Sequence, residues 1–107
     1  MIFGRILHSK DLVNWKLLGY AFERLDLGPA YRLEGGKEVY GQGIWAPSFR
    51  YHNGTFHIFT NINGHNTQLF RARKPAGPWT RTELKRSFHD LSVLFEDGKV
   101  YVIWGYL

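Results

Sequence analysis

One acidic residue stands apart in this sequence. Asp90 follows His89 and precedes Leu91–Glu96, an apolar run that is closed by Asp97-Gly98 and answered by a second apolar run, Lys99–Tyr106. The open end of such a hairpin is where a β scaffold commonly displays a reactive group. A carboxylate there can exchange a proton or, by its charge, raise the pKa of a neighbouring carboxylic acid. One aspartate alone hydrolyses nothing, and aspartate at a strand start also serves simply to bond a backbone N–H, so residue type leaves both roles open. Trp45 lies 44 residues upstream of His89, at the head of a similar hairpin. Its indole suits the wall of a small subsite, with the flat face against a sugar ring, and it equally suits packing between sheets. His89 suits a pocket lining or an exposed strand end.

Other chemistries find no support. His8, His52, His57, His65 and His89 show no metal-ligand spacing with a carboxylate, so no zinc site is expected. There is no phosphate-cradling glycine loop and no Gly-x-Ser-x-Gly elbow. Cysteine is absent, which removes disulfides, thiolate metal sites and a thiol nucleophile. Asn61, Asn63, His65 and Asn66 crowd one turn with hydrogen-bonding groups, which is ordinary turn chemistry. The 14 Lys plus Arg exceed the 9 Asp plus Glu to give a net charge of +5. Arg71, Arg73, Lys74, Arg81, Lys85 and Arg86 cluster in Arg71–Arg86 beside only Glu83. This reads as a solvated outer strand pair whose cations discourage edge pairing. No nucleic-acid motif accompanies it. No apolar run approaches membrane-spanning length, and Met1-Ile2-Phe3-Gly4-Arg5 lacks the layout of a signal peptide. Neither nucleic acid nor membrane is expected as a partner, and the compartment is left open.

The elements that must position these residues follow from local pattern. Ile2–His8 and Trp15–Phe22 read as strands around a turn, or single helical turn, capped by Ser9. Glu23–Gly41, broken by Gly28-Pro29 and Gly35-Gly36, reads as a long connection. Pro47–His52 and Thr55–Ile62 flank Asn53-Gly54, a strong signal for a type I′ hairpin turn, which sets Tyr51 opposite Phe56 and Phe49 opposite Ile58. Thr67–Arg73, the turn Lys74–Pro78 and Trp79–Leu84 extend this to a four-stranded meander. The pattern then restarts in Leu91–Glu96 and Lys99–Tyr106, with Glu96 across from Lys99 and Phe95 across from Val100. Gly54 and Gly98 are 44 residues apart, as are Ser48 and Ser92. A period of this length with four short strands per unit is the signature of a β-propeller blade. The near-continuous apolar run of the last pair implies cover on both faces of its sheet. Trp15, Trp79 and Trp104 read as packing residues. The fold class is therefore all-β: a partial propeller of half a blade, one whole blade and half a blade. Residues 1–107 read as a fragment of one propeller domain truncated at both ends, with open strand edges through which it could associate.

The stretches ILHSKDLVNWKLLGYAF, GIWAPSFRYHNGTFHIFTN, ARKPAGPW and HDLSVLFEDGKVYVIWG, in this order and at these separations, resemble the first part of glycoside hydrolase family 43, and within it the β-xylosidase and α-arabinofuranosidase type. The likeness covers nearly the whole chain except Glu23–Gly41. It implies a five-bladed propeller that hydrolyses β-xylosidic or α-arabinofuranosidic links of plant cell-wall saccharides with inversion. Three carboxylates act in such a site: a general base, a general acid, and an aspartate that orients the acid and adjusts its pKa. The motif of that aspartate matches here at Asp90, and the family's substrate-contacting Trp matches at Trp45. The other two carboxylates have no counterpart, the base falling before Met1 and the acid beyond Leu107, so this chain by itself is expected to be inactive. No cofactor is implied; some members hold a calcium ion in the central channel, which these residues neither support nor exclude. Two rival readings use the same aromatics: a non-catalytic carbohydrate-binding propeller, and an aromatic-rich β domain on single-stranded nucleic acid.

Overall fold

The computed structural model describes residues 3–22 and 44–105. Those residues form eight strands: β1 (Phe3–His8), β2 (Lys16–Phe22), β3 (Ser48–His52), β4 (Thr55–Thr60), β5 (Gln68–Ala72), β6 (Thr80–Glu83), β7 (Ser92–Glu96) and β8 (Lys99–Ile103). They make three antiparallel sheets, β1-β2, β3-β4-β5-β6 and β7-β8, each in sequence order. The expected connection Glu23–Gly41 lies outside the described residues.

Turn chemistry explains the hairpins. Asn53 and Gly54 have φ of 48° and 75°, and Asp97 and Gly98 have 50° and 73°. Positive φ at both central residues is the type I′ turn, whose twist matches that of the flanking strands. The register follows as expected: Tyr51 faces Phe56 and Phe49 faces Ile58, while Phe95 faces Val100 and Glu96 faces Lys99. The first hairpin closes differently. Asp11 Oδ1 accepts the backbone N–H groups of Val13 and Asn14 at 2.9 and 2.8 Å, and Ser9 Oγ accepts those of Asp11 and Leu12 at 3.2 and 2.8 Å. Those bonds from Asn14 and Val13 hold the Asp11 carboxyl well below the usual carboxylate range.

The apolar core lies between the first sheet and the second. Ile6 and Ala21 meet Ile58 and Phe70, with Leu18 and Trp79 packed against them. Gly19 belongs to this joint, since a Cβ there would sit 3.3 Å from the Ala76 carbonyl oxygen. The second and third sheets meet through a mixed joint. Arg50 on β3 donates from Nε to the Val93 carbonyl at 2.8 Å and from Nη2 to Ser92 Oγ at 3.1 Å. The Phe95 ring stacks on His52 at 4.5 Å and meets His57 at 4.8 Å.

One expectation changes. Trp15, next after the Ser9–Asn14 turn, is 55% exposed rather than packed; Trp79 does pack, against the core, and Trp104 lies edge-on to Phe88. The last sheet is covered on one face only among the described residues. Val93 is buried and faces the second sheet with Phe95, while Leu94, Tyr101 and Ile103, which share the opposite face, are exposed. The six cations of Arg71–Arg86 are all exposed, as expected, and β6, exposed along its whole length, is an edge strand of its sheet.

Candidate functional site

The repeat extends beyond the strands into the ends of the sheets. Trp45 N–H donates to the Asn61 carbonyl at 2.9 Å, and Gly105 N–H donates to the His89 carbonyl at 3.0 Å. Trp45 and His89 are equivalent under the 44-residue offset, as are Asn61 and Gly105, so one pairing recurs with the donor reversed. It brings Trp45 and His89 to neighbouring positions on adjacent sheets, where their rings meet edge-on at 5.8 Å and 74°.

Each side chain has a distinct support. Trp45 is 43% exposed, and its indole Nε1 donates to Asn63 Oδ1 at 2.9 Å. The Trp45 carbonyl accepts from Thr60 Oγ1 at 2.8 Å. Backbone and ring are thus fixed separately, which leaves an indole surface available to a flat ligand. The His89 imidazole is mostly enclosed, and its Nε2 stands 3.3 Å from Asp90 Oδ2. When the ring is protonated this contact is an ion pair.

Asp90 itself is displayed to solvent, with its side chain 69% exposed. Its φ is 47°, a left-handed conformation that most residues avoid and that Asp and Asn tolerate best. Such a kink turns the chain sharply between the connection from β6 and the start of β7. Immediately before it, Phe88 packs under Trp104, and the Arg86 guanidinium lies over both rings at 5.3 and 5.1 Å. Beneath it, Asn61 and Thr67 bond the Phe88 backbone. Asn61, Asn63 and Thr67 were not singled out as functional from the sequence. The only signal was the density of Asn around Ile62–Thr67, which any polar turn shares.

The arrangement therefore offers a solvent-facing carboxylate, an imidazole touching it and an indole across from the imidazole, drawn from two adjacent sheets. A carboxylate so displayed can perturb or exchange a proton with a group brought against it. Among the described residues no three His, Asp or Glu side chains gather in a metal-ligand cluster.

Known proteins resemble the chain over most of its length. Over 103 residues the chain is 41% identical to a non-reducing end α-L-arabinofuranosidase of Bacteroides ovatus, covering 92% of this chain and 19% of that protein. It is 35% identical over 104 residues to a xylosidase/arabinosidase of Butyrivibrio fibrisolvens, covering 92% and 19%. Among solved structures, a bifunctional GH43-CE protein of Bacteroides eggerthii superposes with a TM-score of 0.82 at 38% identity, over 94% of this chain and 15% of that one. The chain thus spans about a fifth, or less, of the length of these relatives. The sheets described above are part of a β-propeller, the four-stranded one being a complete blade. The sequence profile of glycosyl hydrolases family 43 matches residues 3–107, and on that match, with the fold in agreement, the chain belongs to this family.

Proposed function

We propose that the protein carrying this chain is a glycoside hydrolase that cleaves β-xylosidic or α-arabinofuranosidic bonds of plant cell-wall saccharides with inversion. The observation that carries the reading is the meeting of Asp90, His89 and Trp45 at one end of two adjacent sheets. Inversion places a carboxylic acid and a carboxylate base on opposite sides of the scissile bond, about 6.5–9.5 Å apart, with room for water. The acid must stay protonated at working pH. A third carboxylate nearby disfavours its ionised form by like-charge repulsion and raises its pKa. Asp90 takes that third role in this reading, and the base and acid come from elsewhere in the propeller. Trp45 forms the wall of the subsite, and His89 lines the pocket beside Asp90. The names of the relatives, an arabinofuranosidase and a xylosidase/arabinosidase, support the choice of substrate.

The test is turnover of aryl β-xylosides and aryl α-arabinofuranosides by the complete protein, with the first-formed anomer followed by NMR. Release of the inverted anomer is the expected result. Saccharide binding without turnover would replace the hydrolase with a carbohydrate-binding propeller, and a retained anomer would overturn the mechanism.

A further inference from the structure

We propose that Asn61 and Thr67 are positioning residues for Asp90, acting through the backbone of Phe88. The inference rests on the role given to Asp90 above. Its starting point is a contrast in burial. Thr67 is fully buried and Asn61 is 6% exposed, whereas the Asp90 side chain is largely in solvent, with His89 Nε2 at 3.3 Å. Packing does not hold the Asp90 carboxylate, so its location is set by the backbone that carries it.

That backbone is held by a closed ring of hydrogen bonds. The Phe88 N–H donates to Thr67 Oγ1 at 2.8 Å. The Thr67 hydroxyl donates in turn to Asn61 Oδ1 at 2.6 Å, and Asn61 Nδ2 donates to the Phe88 carbonyl at 2.7 Å. Each member fixes the next: once the hydroxyl accepts from Phe88, its proton must go to the amide oxygen, and the amide nitrogen then faces the carbonyl. A flipped Asn61 amide would break two of the three bonds. The Thr67 backbone adds two more ties to the same connection, donating to the Arg86 carbonyl at 3.2 Å and accepting from Leu84 N–H at 2.8 Å. On the far side Gly105 N–H holds the His89 carbonyl at 3.0 Å.

Burying these groups has a cost that an apolar pair of similar size would avoid. The return is geometric, because both polar groups of Phe88 are pinned two residues before Asp90. A misplacement of about 1 Å at a catalytic group can cost on the order of 100-fold in rate.

The experiment uses the complete enzyme and a double-mutant cycle of Thr67→Val with Asp90→Asn. Thr67→Val keeps the volume but removes the acceptor of the Phe88 N–H. The expected result is a kcat about tenfold lower with KM within about twofold. The basic limb of the pH–rate profile should move to lower pH, because a displaced carboxylate raises the pKa of the acid less. Thr67→Ser, which keeps the hydroxyl, should restore both. In the Asp90→Asn background Thr67→Val should cost no further kcat, since a residue acting through Asp90 has nothing left to position. Asn61→Leu carries the same expectations, so that collapse of one variant leaves the other to decide. Additive losses, or an unmoved pH profile with activity proportional to folded protein, would make the ring merely structural and overturn the inference. Asp90→Asn with unchanged kcat and pH profile would instead remove the role of Asp90, and the inference with it.

Discussion

Asp90 combines two properties that a single substitution can separate. Its charge is what the proposed chemistry uses, and its left-handed backbone, φ 47°, is what the fold requires. Asn shares the tolerance for that conformation but not the charge, so Asp90→Asn should leave the thermal midpoint of the complete enzyme within about 2 °C and lower kcat on the order of 100-fold. Asp90→Ala would confuse the two, since a residue without a local polar side chain in this conformation costs about 1 kcal/mol. A matching loss of stability and activity in Asp90→Asn, read by calorimetry and initial rates, would return the residue to an ordinary strand-start role. The aromatic partner behaves oppositely: Trp45→Ala should raise KM about tenfold through lost stacking, and Asn63→Ala, which frees the indole that Nε1 now anchors, should raise it less. A larger effect on kcat than on KM would place Trp45 in packing. The meeting of Trp45 with His89 was legible because a 44-residue repeat aligns those two positions, with Asp90 next to the second of them. Asn61 and Thr67 were not, because their shared partner Phe88 lies 27 and 21 residues away and an Asn-rich turn has the same composition whether or not it reaches anything.

At the level of the strands, what could be read was what is local. Asn53-Gly54 and Asp97-Gly98 impose their turn and hence the register of everything that flanks them, and this is why the facing pairs came out as the pattern required. The joints between sheets depend on contacts such as that of Arg50 with Val93, 43 residues apart, which no local rule encodes. The exposure of Trp15 was missed for the same reason, since an aromatic at a strand head carries no mark of whether a neighbour covers it. The joint of the second and third sheets has a pH dependence of its own. His57 lies between the Phe59 and Phe95 rings, with Arg50 and Arg71 at the facing positions on its neighbouring strands and His52 also against Phe95. Among the described residues its Nδ1 is enclosed without a hydrogen-bond partner. Burial lowers its pKa, the nearby Arg71 and His52 add to the effect, and the Thr55 backbone works against it. A histidine whose folded pKa lies below its unfolded value of about 6.5 binds fewer protons folded than unfolded. Stability is therefore full above about pH 6.5 and falls as the pH drops toward the folded pKa. Urea midpoints of the complete protein between about pH 7.5 and pH 5 should show this decline, and His57→Gln should flatten it. An equal decline in both proteins would assign the dependence to other groups.

The molecule as a whole is decided by the face that the last sheet leaves open. On β7 and β8, Leu94, Tyr101 and Ile103 share one side and are 56%, 48% and 77% exposed, although their composition is that of a buried sheet. Val100 on the other side is also half exposed, and among the described residues β8 pairs with β7 alone. Apolar faces and unpaired edges of this kind draw in further copies of a chain. A polypeptide of residues 1–107 alone is therefore expected to self-associate at micromolar concentration, and sedimentation velocity should resolve species larger than the 12.5 kDa monomer. It is also expected to release nothing from aryl xylosides or arabinofuranosides, because Asp90 by itself supplies neither the acid nor the base of the proposed reaction. Leu94→Glu and Ile103→Lys place opposite charges two rungs of the β7–β8 ladder apart on the open face and leave Val93, with its carbonyl bonded to Arg50, unchanged. If apolar cover is what the sheet lacks, this pair should shift the distribution toward monomer while the strand signal in circular dichroism persists. Association that survives the substitutions would locate the contact at the free edge of β8 instead, where backbone pairing is indifferent to side chains. A sharp monomer before any substitution would mean that the apolar face is covered within the chain itself.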